Sequence, residues 1–260
     1  MVWEDVQRIR AQAPLVLNIT NYVVMNTTAN ALLAIGASPV MAHAIDEAAD
    51  MARIAQALVI NIGTLSPPWV EAMFIAGRVA RERGIGIVLD PVGCGATAYR
   101  TQTAQDLVRE IRPAVIRGNA SEIKALLHSG GNTKGVDSRD DPDAVAADAK
   151  ALAHSAGCVV SVSGAVDLIT DGERVARVAN GHALMPRVTG MGCTASAITG
   201  AFVAVNADRF AAATHAMGVM GVTGEIAGAA AAGPGSFQVN FLDALHGLDA
   251  AQLAARLRLG

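Results

Sequence analysis

The sequence predicts an α/β fold in which a predominantly parallel central sheet carries helices on both faces. Short apolar runs such as ALVINIGT (57–64) recur along the chain, and such runs are typical of parallel strands buried on both faces. They alternate with helical stretches of about 10–15 residues, which is the pattern of βαβ units. Aromatic residues make up only 3% of the chain, so the core is built from Ala, Val, Ile, Leu and Met.

Glycine and proline residues mark the ends of the predicted elements. Gly36 follows a helix at the usual C-terminal position, Pro67 and Pro68 open another helix, and Asp171 and Gly172 turn a hairpin over 166–180. The predicted strands before the hairpin are 15–20, 38–42, 57–64, 84–90, 114–119 and 158–164. The predicted helices are 4–12, 22–35, 46–56, 67–83, 103–111, 121–127 and 144–155, and most of the C-terminal third is helical. The polar stretch 128–141 is predicted to be a loop.

Length and composition exclude several classes of protein. The chain has 260 residues without an internal repeat or linker, which predicts one domain over 1–260. A net charge of -3 gives no basic surface for nucleic acid. The first ten residues lack the apolar region of a signal peptide, and the three cysteines lack metal-ligand spacing, so we expect a cytoplasmic protein. His215 and Glu225 interrupt the apolar segment 210–233, which favours a buried helix over a membrane span.

The stretch VTGMGCTASAITGAFVAV (188–205) is the strongest candidate for a functional site. Gly190 and Gly192 form a loop that leads into a small, apolar helix predicted to begin near Cys193. The N-terminus of such a helix offers free N–H groups and a positive dipole to an anion. The same dipole is expected to lower the pKa of Cys193. The alternative is a glycine turn that only caps the helix, with Cys193 as a small buried residue.

Polar residues also follow the predicted strands, where ligands bind in open α/β sheets. Asp90 ends a strand before PVGCGA, and Arg117 ends another in RGNASE. Asn119 and Glu122 share one helix face, and Glu122 is a candidate to hold Mg²⁺ through water. Asp90 and Glu122 could instead cap a turn and a helix, and Arg117 could clamp a phosphate or form a surface ion pair.

Familiar catalytic signatures are absent from the sequence. It contains no Ser-His-Asp order, CxxC pair, HExxH motif, GxGxxG after the first strand or GxxxxGK[ST] loop. This argues against common hydrolase, zinc, dinucleotide-binding and P-loop functions. The segments TNYVVMNTTAN (20–30) and PVMAHA (39–44) are candidates for the lining of a small-molecule pocket, although Met41 and His43 fit structural roles as well.

Taken together, the motifs resemble those of the hydroxyethylthiazole kinases of thiamine salvage. The resemblance rests on NITNYVVMNTTANALLAIGASPVMA, DPVGCGAT, RGNASEI, KGVDS and VTGMGC, and it extends from about residue 14 to 205. It implies a ribokinase-like fold and transfer of phosphate from ATP, with Mg²⁺, to the primary hydroxyl of 4-methyl-5-(2-hydroxyethyl)thiazole. It also implies a homotrimer with active sites at the subunit interfaces.

The resemblance assigns roles to individual residues. Met41, Asn21 and Gly190 match substrate-binding positions, and Arg117 and Ser163 match ATP-binding positions. Asp90 and Glu122 resemble the carboxylates near Mg²⁺. Gly190, Gly192 and Cys193 form the catalytic loop, in which Cys193 occupies the place of a catalytic Asp in most ribokinase-like enzymes. Met191 is bulkier than the small residue expected there.

Because a thiol is a modest base for an alcohol, we expect Cys193 to assist the reaction without being indispensable. Two other functions remain open at this point. Other ribokinase-like activities, such as a hydroxymethylpyrimidine kinase or a nucleotide-repair dehydratase, would be expected to carry Asp in place of Cys193. A thiazole-binding trimer without turnover would not need Mg²⁺-dependent nucleotide binding.

Overall fold

The computed structural model describes residues 2–128 and 142–260. Within these residues eight strands form one sheet in the order β2-β1-β3-β4-β5-β6-β7-β8. Strands β1 to β6 are parallel, and β7 and β8 continue the sheet antiparallel as a hairpin. The strands are β1 (Leu15–Ile19), β2 (Ser38–Met41), β3 (Ala57–Asn61), β4 (Gly86–Asp90), β5 (Val115–Asn119), β6 (Val159–Ser163), β7 (Asp167–Thr170) and β8 (Val175–Val178).

Helices connect the parallel strands and form most of the C-terminal part. The helices are α1 (Val2–Gln12), α2 (Met25–Ile35), α3 (Ile45–Ile54), α4 (Pro67–Glu82), α5 (Ala98–Ile111), α6 (Ala120–His128), α7 (Pro142–Ala156), α8 (Met191–Val205), α9 (Arg209–Ala230), α10 (Pro234–Gly247) and α11 (Ala250–Arg256). The predicted loop 128–141, with the KGVDS motif, lies outside the described residues apart from His128, which ends α6.

Alternate residues of the strands supply two separate cores. Val16, Val59 and Val88 pack with residues of α1, α2, α8, α9 and α10 on one face of the sheet. Leu17 and Leu58 pack with residues of α3 to α7 on the other face. Because successive side chains of a strand point to opposite faces, continuous apolar strands need a helical layer on each side. The predicted predominantly parallel sheet with helices on both faces is therefore confirmed.

Helix α8 lies unusually close to the sheet because small residues face it. A Cβ atom on Gly200 would lie 2.5 Å from Val59 Cγ2, and one on Gly86 would lie 2.0 Å from Val203 Cγ1. Val203, near the end of α8, thus packs at the start of β4, whereas Ser196 bonds to Asp90 at the end of β4. This arrangement directs the amino end of α8 toward the carboxyl edge of the sheet.

The predicted helix 22–35 begins later than expected, at Met25. Residues 22–24 form a turn instead, because Asn21 Oδ1 accepts a hydrogen bond from the Val23 N–H (3.1 Å) and Thr64 Oγ1 accepts one from the Tyr22 N–H (3.1 Å). Helix α5 in turn begins five residues before the predicted 103–111, at Ala98, because the Thr97 side chain caps it. Side-chain hydrogen bonds thus decide both boundaries.

The apolar segment 210–233 forms most of α9, which is buried along much of its length. Its two interrupting polar residues have partners: His215 Nδ1 lies 2.6 Å from Asp5 Oδ2, and Glu225 Oε1 accepts a hydrogen bond from Asn180 Nδ2 (3.0 Å). In the described part of the chain, no helix combines the length and the apolar character that crossing a membrane requires.

The close packing of α8 predicts that Gly200→Ala destabilises the protein. Its added methyl group would overlap Val59, and such overpacking costs about 1–3 kcal/mol. A matched control is Gly247→Ala at the end of α10, where an added Cβ meets no atom within 4 Å, so we expect no loss of stability. The free energies of unfolding from urea titrations compare the two variants. Equal stability of Gly200→Ala and the unmutated protein would contradict the packing described above.

Candidate active site

Asp90 is the centre of a buried polar cluster at the carboxyl edge of the sheet. It ends β4, where it pairs in register with Asn61 at the end of β3. Asp90 Oδ2 accepts hydrogen bonds from Asn61 Nδ2 (2.9 Å) and from Ser196 Oγ of α8 (2.7 Å), and only 1% of the residue is exposed. These bonds cross between strands and a helix, so Asp90 does not act as a local turn cap.

The environment of Asp90 favours its protonated form more than water does. Burial raises the pKa of Asp90 to about 6, although the positive charge of Arg117 and the hydrogen bond from Ser196 act in the opposite direction. The negative charge of Glu122 adds to the increase. A carboxyl group with this pKa changes its charge close to neutral pH, which is common at functional sites.

Asn61 joins Asp90 to Asn21 and Cys193. Its Oδ1 accepts hydrogen bonds from Asn21 Nδ2 (2.8 Å) and from the Gly63 N–H (2.9 Å), and Asn21 Nδ2 also lies 3.6 Å from Cys193 Sγ. Two of the predicted site residues, Asn21 and Cys193, are thus brought together with Asp90. Asn61 and Ser196 were not among the site residues predicted from the sequence. Asn61 could have been identified from the sequence, because it is the polar residue that ends the apolar strand ALVIN.

The predicted lowering of the Cys193 pKa is wrong. Burial and the nearby Asp90 carboxylate raise the pKa of the thiol, and hydrogen bonds from Asn61 and Asn21 offset only part of this increase. Cys193 does lie in the first turn of α8, where the helix dipole favours a thiolate. Desolvation outweighs that effect, so Cys193 is a protonated, hydrogen-bonding thiol at neutral pH.

The amino end of α8 has the geometry of an anion site. Gly190 caps the helix with a φ of 83°, a left-handed conformation that glycine adopts without strain, and the helix begins at Met191. The Thr194 N–H bonds to the Gly190 carbonyl (2.8 Å), so the N–H groups of residues 191–193 precede the first helical hydrogen bond. Gly190 also packs against Val24, which a Cβ atom would approach to 2.7 Å.

Arg117 adds positive charge to this helix end. Its guanidinium group lies beside Gly192, where an added Cβ would be 2.9 Å from Nη1. Arg117 is 6% exposed, and its Nε is buried without a hydrogen-bond partner among the described residues. A surface ion pair is therefore excluded. A buried guanidinium beside free amides suits a phosphate group.

A cavity of about 660 Å³ opens beside Arg117 and the start of α8. Ser163 and Met191 line it, so the cavity brings both predicted ATP-binding residues together and accommodates the bulky Met191. Asp167, which was not predicted from the sequence, also lies in the cavity wall. Burial raises the pKa of Asp167 to about 6, although its hydrogen bond from the Gly164 N–H (3.0 Å) acts against the increase.

Glu122 caps helix α6, as one interpretation of the sequence expected. Its Oε2 accepts a hydrogen bond from the Asn119 N–H, while Asn119 Oδ1 accepts one from the Glu122 N–H, both at 2.9 Å. The other carboxylate oxygen, Oε1, accepts a hydrogen bond from the Gly93 N–H (2.9 Å), which connects α6 to the loop after Asp90. Among the described residues there is no group of three or more His, Cys, Asp or Glu side chains that could hold a metal.

Met41 lies apart from the Asp90 cluster. It ends the edge strand β2 and is half-buried, and β1 separates β2 from β3. Close to it in sequence, the His43 ring packs edge-on against Trp69 at 4.4 Å between centroids, and Tyr22 packs against Trp69 at 4.2 Å. Met41 therefore lies at the β2 edge of the sheet, next to β1, the strand that Asn21 follows.

Comparisons with known proteins match nearly the whole chain to one family. The sequence model of the hydroxyethylthiazole kinase family matches residues 6–251. Hydroxyethylthiazole kinase of Nitratidesulfovibrio vulgaris (strain DSM 19637 / Miyazaki F) is 54% identical over 259 residues, which cover 100% of this chain and 97% of the relative. The solved hydroxyethylthiazole kinase protein from Pyrococcus horikoshii OT3 is 44% identical with a TM-score of 0.93, covering 100% of this chain and 98% of its own. Staphylococcus aureus pyridoxal kinase in complex with AMP-PCP, at 15% identity and a TM-score of 0.60 over 82% and 88% of the chains, shares the fold.

Burial of Asp90 predicts that Asp90→Asn stabilises the protein above pH 6. The folded pKa of Asp90 is raised, so its ionised form opposes folding at high pH, and removing that charge gains up to about 3 kcal/mol. The gain shrinks as the pH falls from about 6 towards 4, because wild-type Asp90 then becomes protonated in the folded state. Thermal unfolding between pH 4 and 8 measures this difference.

A control for this measurement is Asp208→Asn. Hydrogen bonds from Arg174 lower the pKa of Asp208, so its ionised form favours folding and its removal gives no gain at pH 8. A gain from Asp90→Asn that is the same at pH 4 and pH 8 would contradict the assigned pKa.

Proposed function

The chain belongs to the hydroxyethylthiazole kinase family, and we propose that the Asp90 cluster, the amino end of α8 and the adjoining cavity form its active site. It is a phosphotransferase with a ribokinase-like fold that phosphorylates the alcohol of 4-methyl-5-(2-hydroxyethyl)thiazole, with ATP as co-substrate. The observation that carries the location is the buried Arg117 guanidinium beside Gly192, where free helix amides and a cavity meet.

Phosphoryl transfer depends mainly on positioning and on neutralising charge. We propose that Arg117 and Ser163 bind ATP in the cavity and that the N–H groups of 191–193 stabilise the phosphoryl group in transfer. Gly190 and Gly192 make this possible, because one supplies the left-handed cap and the other lets Arg117 approach the helix. In a site shielded from water, such fixed donors stabilise developing negative charge strongly.

Asp90 and Glu122 are the proposed Mg²⁺ ligands. Two carboxylates suit Mg²⁺, which keeps several waters and takes further oxygens from the substrate phosphates rather than from an all-protein cage. When bound, the ion neutralises phosphate charge. The hydrogen bonds from Asn61 and Ser196 engage one oxygen of Asp90. The Glu122 carboxylate is oriented by the N–H groups of Gly93, in the loop after Asp90, and of Asn119, at the start of α6.

Asn21, Met41 and Gly190 are the proposed contacts of the thiazole alcohol, with Cys193 next to its hydroxyl group. Because the raised pKa keeps Cys193 protonated, we propose that the thiol orients the hydroxyl group rather than removing its proton. The contact of Asn21 Nδ2 with Cys193 Sγ supports a shared position for the two side chains at the substrate.

We further propose that residues 1–260 form one kinase domain, that the protein is cytoplasmic, and that three copies assemble with active sites at their interfaces. Tyr22 and Val23 support the assembly, because they are 66% and 62% exposed although they follow Asn21 directly. A second subunit that covered these apolar side chains would also enclose the thiazole site.

The test of the function is ADP release from ATP and Mg²⁺ with and without the thiazole alcohol. We expect release to depend on the thiazole and to match the thiazole phosphate detected by mass spectrometry. If folded protein binds Mg-ATP but its ADP release does not increase with the thiazole, the substrate is another one of the ribokinase-like class. Protein that binds the thiazole without Mg-ATP would indicate a binding protein without turnover.

The protonated state of Cys193 predicts that Cys193→Ala retains measurable turnover. We expect kcat to fall by about 10- to 100-fold, because the hydroxyl group loses one orienting contact and no proton acceptor. Cys193→Asp is expected to retain or raise activity, since a carboxylate is the base that a protonated thiol is not. Steady-state kinetics with both substrates measures this, and complete loss of turnover in a Cys193→Ala variant that folds and binds the thiazole would refute the orienting role.

A further inference from the structure

Arg100 makes an unusual set of contacts beside the proposed active site. It lies in the first turn of α5, and its guanidinium group donates to three backbone carbonyl groups. Nη1 bonds to the carbonyl oxygens of Ile62 and Val92, and Nη2 bonds to that of Gly63, each at 2.8 Å. Ile62 and Gly63 follow strand β3, whereas Val92 follows β4, so one side chain joins two loops at the carboxyl edge of the sheet.

The position of Arg100 is unfavourable for a cation considered alone. The first turn of a helix carries the positive end of its dipole, which repels a guanidinium group. Among residues 2–128 and 142–260, the Arg100 guanidinium bonds to backbone carbonyls and to no carboxylate. Hydrogen bonds from a charged donor are stronger than neutral ones, and three of them offset the repulsion. Gly93 makes room for the chain, since an added Cβ would lie 3.2 Å from Arg100 Cδ.

Each of the two loops carries part of the proposed site. In the first loop, the Gly63 N–H bonds to Asn61 Oδ1, and Thr64 Oγ1 accepts from the Tyr22 N–H, which directly follows Asn21. This loop therefore positions the residues on the thiazole side. In the second loop, the Gly93 N–H bonds to Glu122 Oε1, and the loop directly follows Asp90, which ends β4. This loop positions the carboxylates on the metal side.

We propose that Arg100 is a positioning residue that holds the thiazole-side loop (62–64) in register with the metal-side loop (91–95). This inference rests on the proposed active site. Its role is to keep the hydroxyl group of the acceptor and the phosphate-bound metal at a fixed separation. It acts through the backbone of both loops and does not contact the substrates, which distinguishes it from Arg117.

A matched control is available in Arg83. Its Nη1 also donates to backbone carbonyls, those of Ala52 (2.8 Å) and Ala55 (2.6 Å), but these lie at the end of α3, before β3 begins. Arg83 therefore performs the same kind of backbone bonding at the opposite edge of the sheet. Substitution of either arginine by methionine removes the guanidinium donor, so the carbonyl groups lose these hydrogen bonds, while the side chain stays unbranched. Both variants are therefore expected to lose thermal stability.

The experiment compares Arg100→Met, Arg100→Lys and Arg83→Met with the unmutated enzyme. We expect Arg100→Met to lower kcat for thiazole phosphorylation by about 10- to 100-fold, because small misplacements of reacting groups are costly. The KM for ATP should change by a smaller factor than kcat, since Arg117 and Ser163, the proposed ATP contacts, lie in neither loop. Arg100→Lys keeps the charge and part of the bonding and should give an intermediate kcat. Arg83→Met should keep the wild-type kcat.

Hydrogen exchange measured by mass spectrometry supplies a readout that does not need turnover. Arg100→Met is expected to speed exchange in both 62–66 and 91–97, while Arg83→Met leaves these segments unchanged. A wild-type kcat in Arg100→Met, or a kcat loss no larger than that of Arg83→Met, would overturn the proposal. Unchanged exchange in either loop would do the same. If the unmutated protein does not phosphorylate the thiazole, the proposed function fails, and exchange still decides whether Arg100 joins the loops.

Discussion

The structure of this site depends on the burial of one carboxyl group, that of Asp90. Because a buried carboxylate is costly unless it is bonded, the surrounding elements must bring donors to it, and they do so from β3 through Asn61 and from α8 through Ser196. The donor from α8 reaches Asp90 only because that helix lies close to the sheet, which Gly200 and Gly86 permit. The hydrogen bonding of Asp90 therefore depends on the close packing of α8 against the sheet.

In the proposed active site, the same helix links the ATP side to the thiazole side. Its first turn offers amides to phosphate on the side of the cavity, next to the Arg117 guanidinium of β5, and it holds Cys193 near Asn21 on the other side. In a phosphoryl-transfer enzyme the acceptor and the donor must meet in line, and little covalent chemistry is asked of the protein. A rigid helix end shared by both substrates meets this requirement better than two independent loops would.

Much of the site was predictable because βαβ architecture places strand ends together. Asp90 and Ser163 end apolar strands, so the parallel sheet predicted that they share one edge, whereas Arg117 was predicted to end a strand but lies in the middle of β5. The contribution of Asn61 and Ser196 was not predictable, since a polar residue in a buried helix or strand has many possible partners. The predicted direction of the Cys193 pKa shift was also wrong. The sequence shows that Cys193 lies at a helix start, but it does not show the burial and the neighbouring Asp90 carboxylate that raise the pKa.

The succession of strands and helices along the chain, the need for two helical layers and the family could all be inferred from the sequence, since they follow from periodicity and from local motifs. The tertiary structure decided where the elements begin around Asn21 and Thr97, which donors meet Asp90 and how Arg100 spans two loops. The reason is physical. Local patterns report which face of an element is apolar, whereas hydrogen bonds and desolvation depend on distances between residues far apart in the chain.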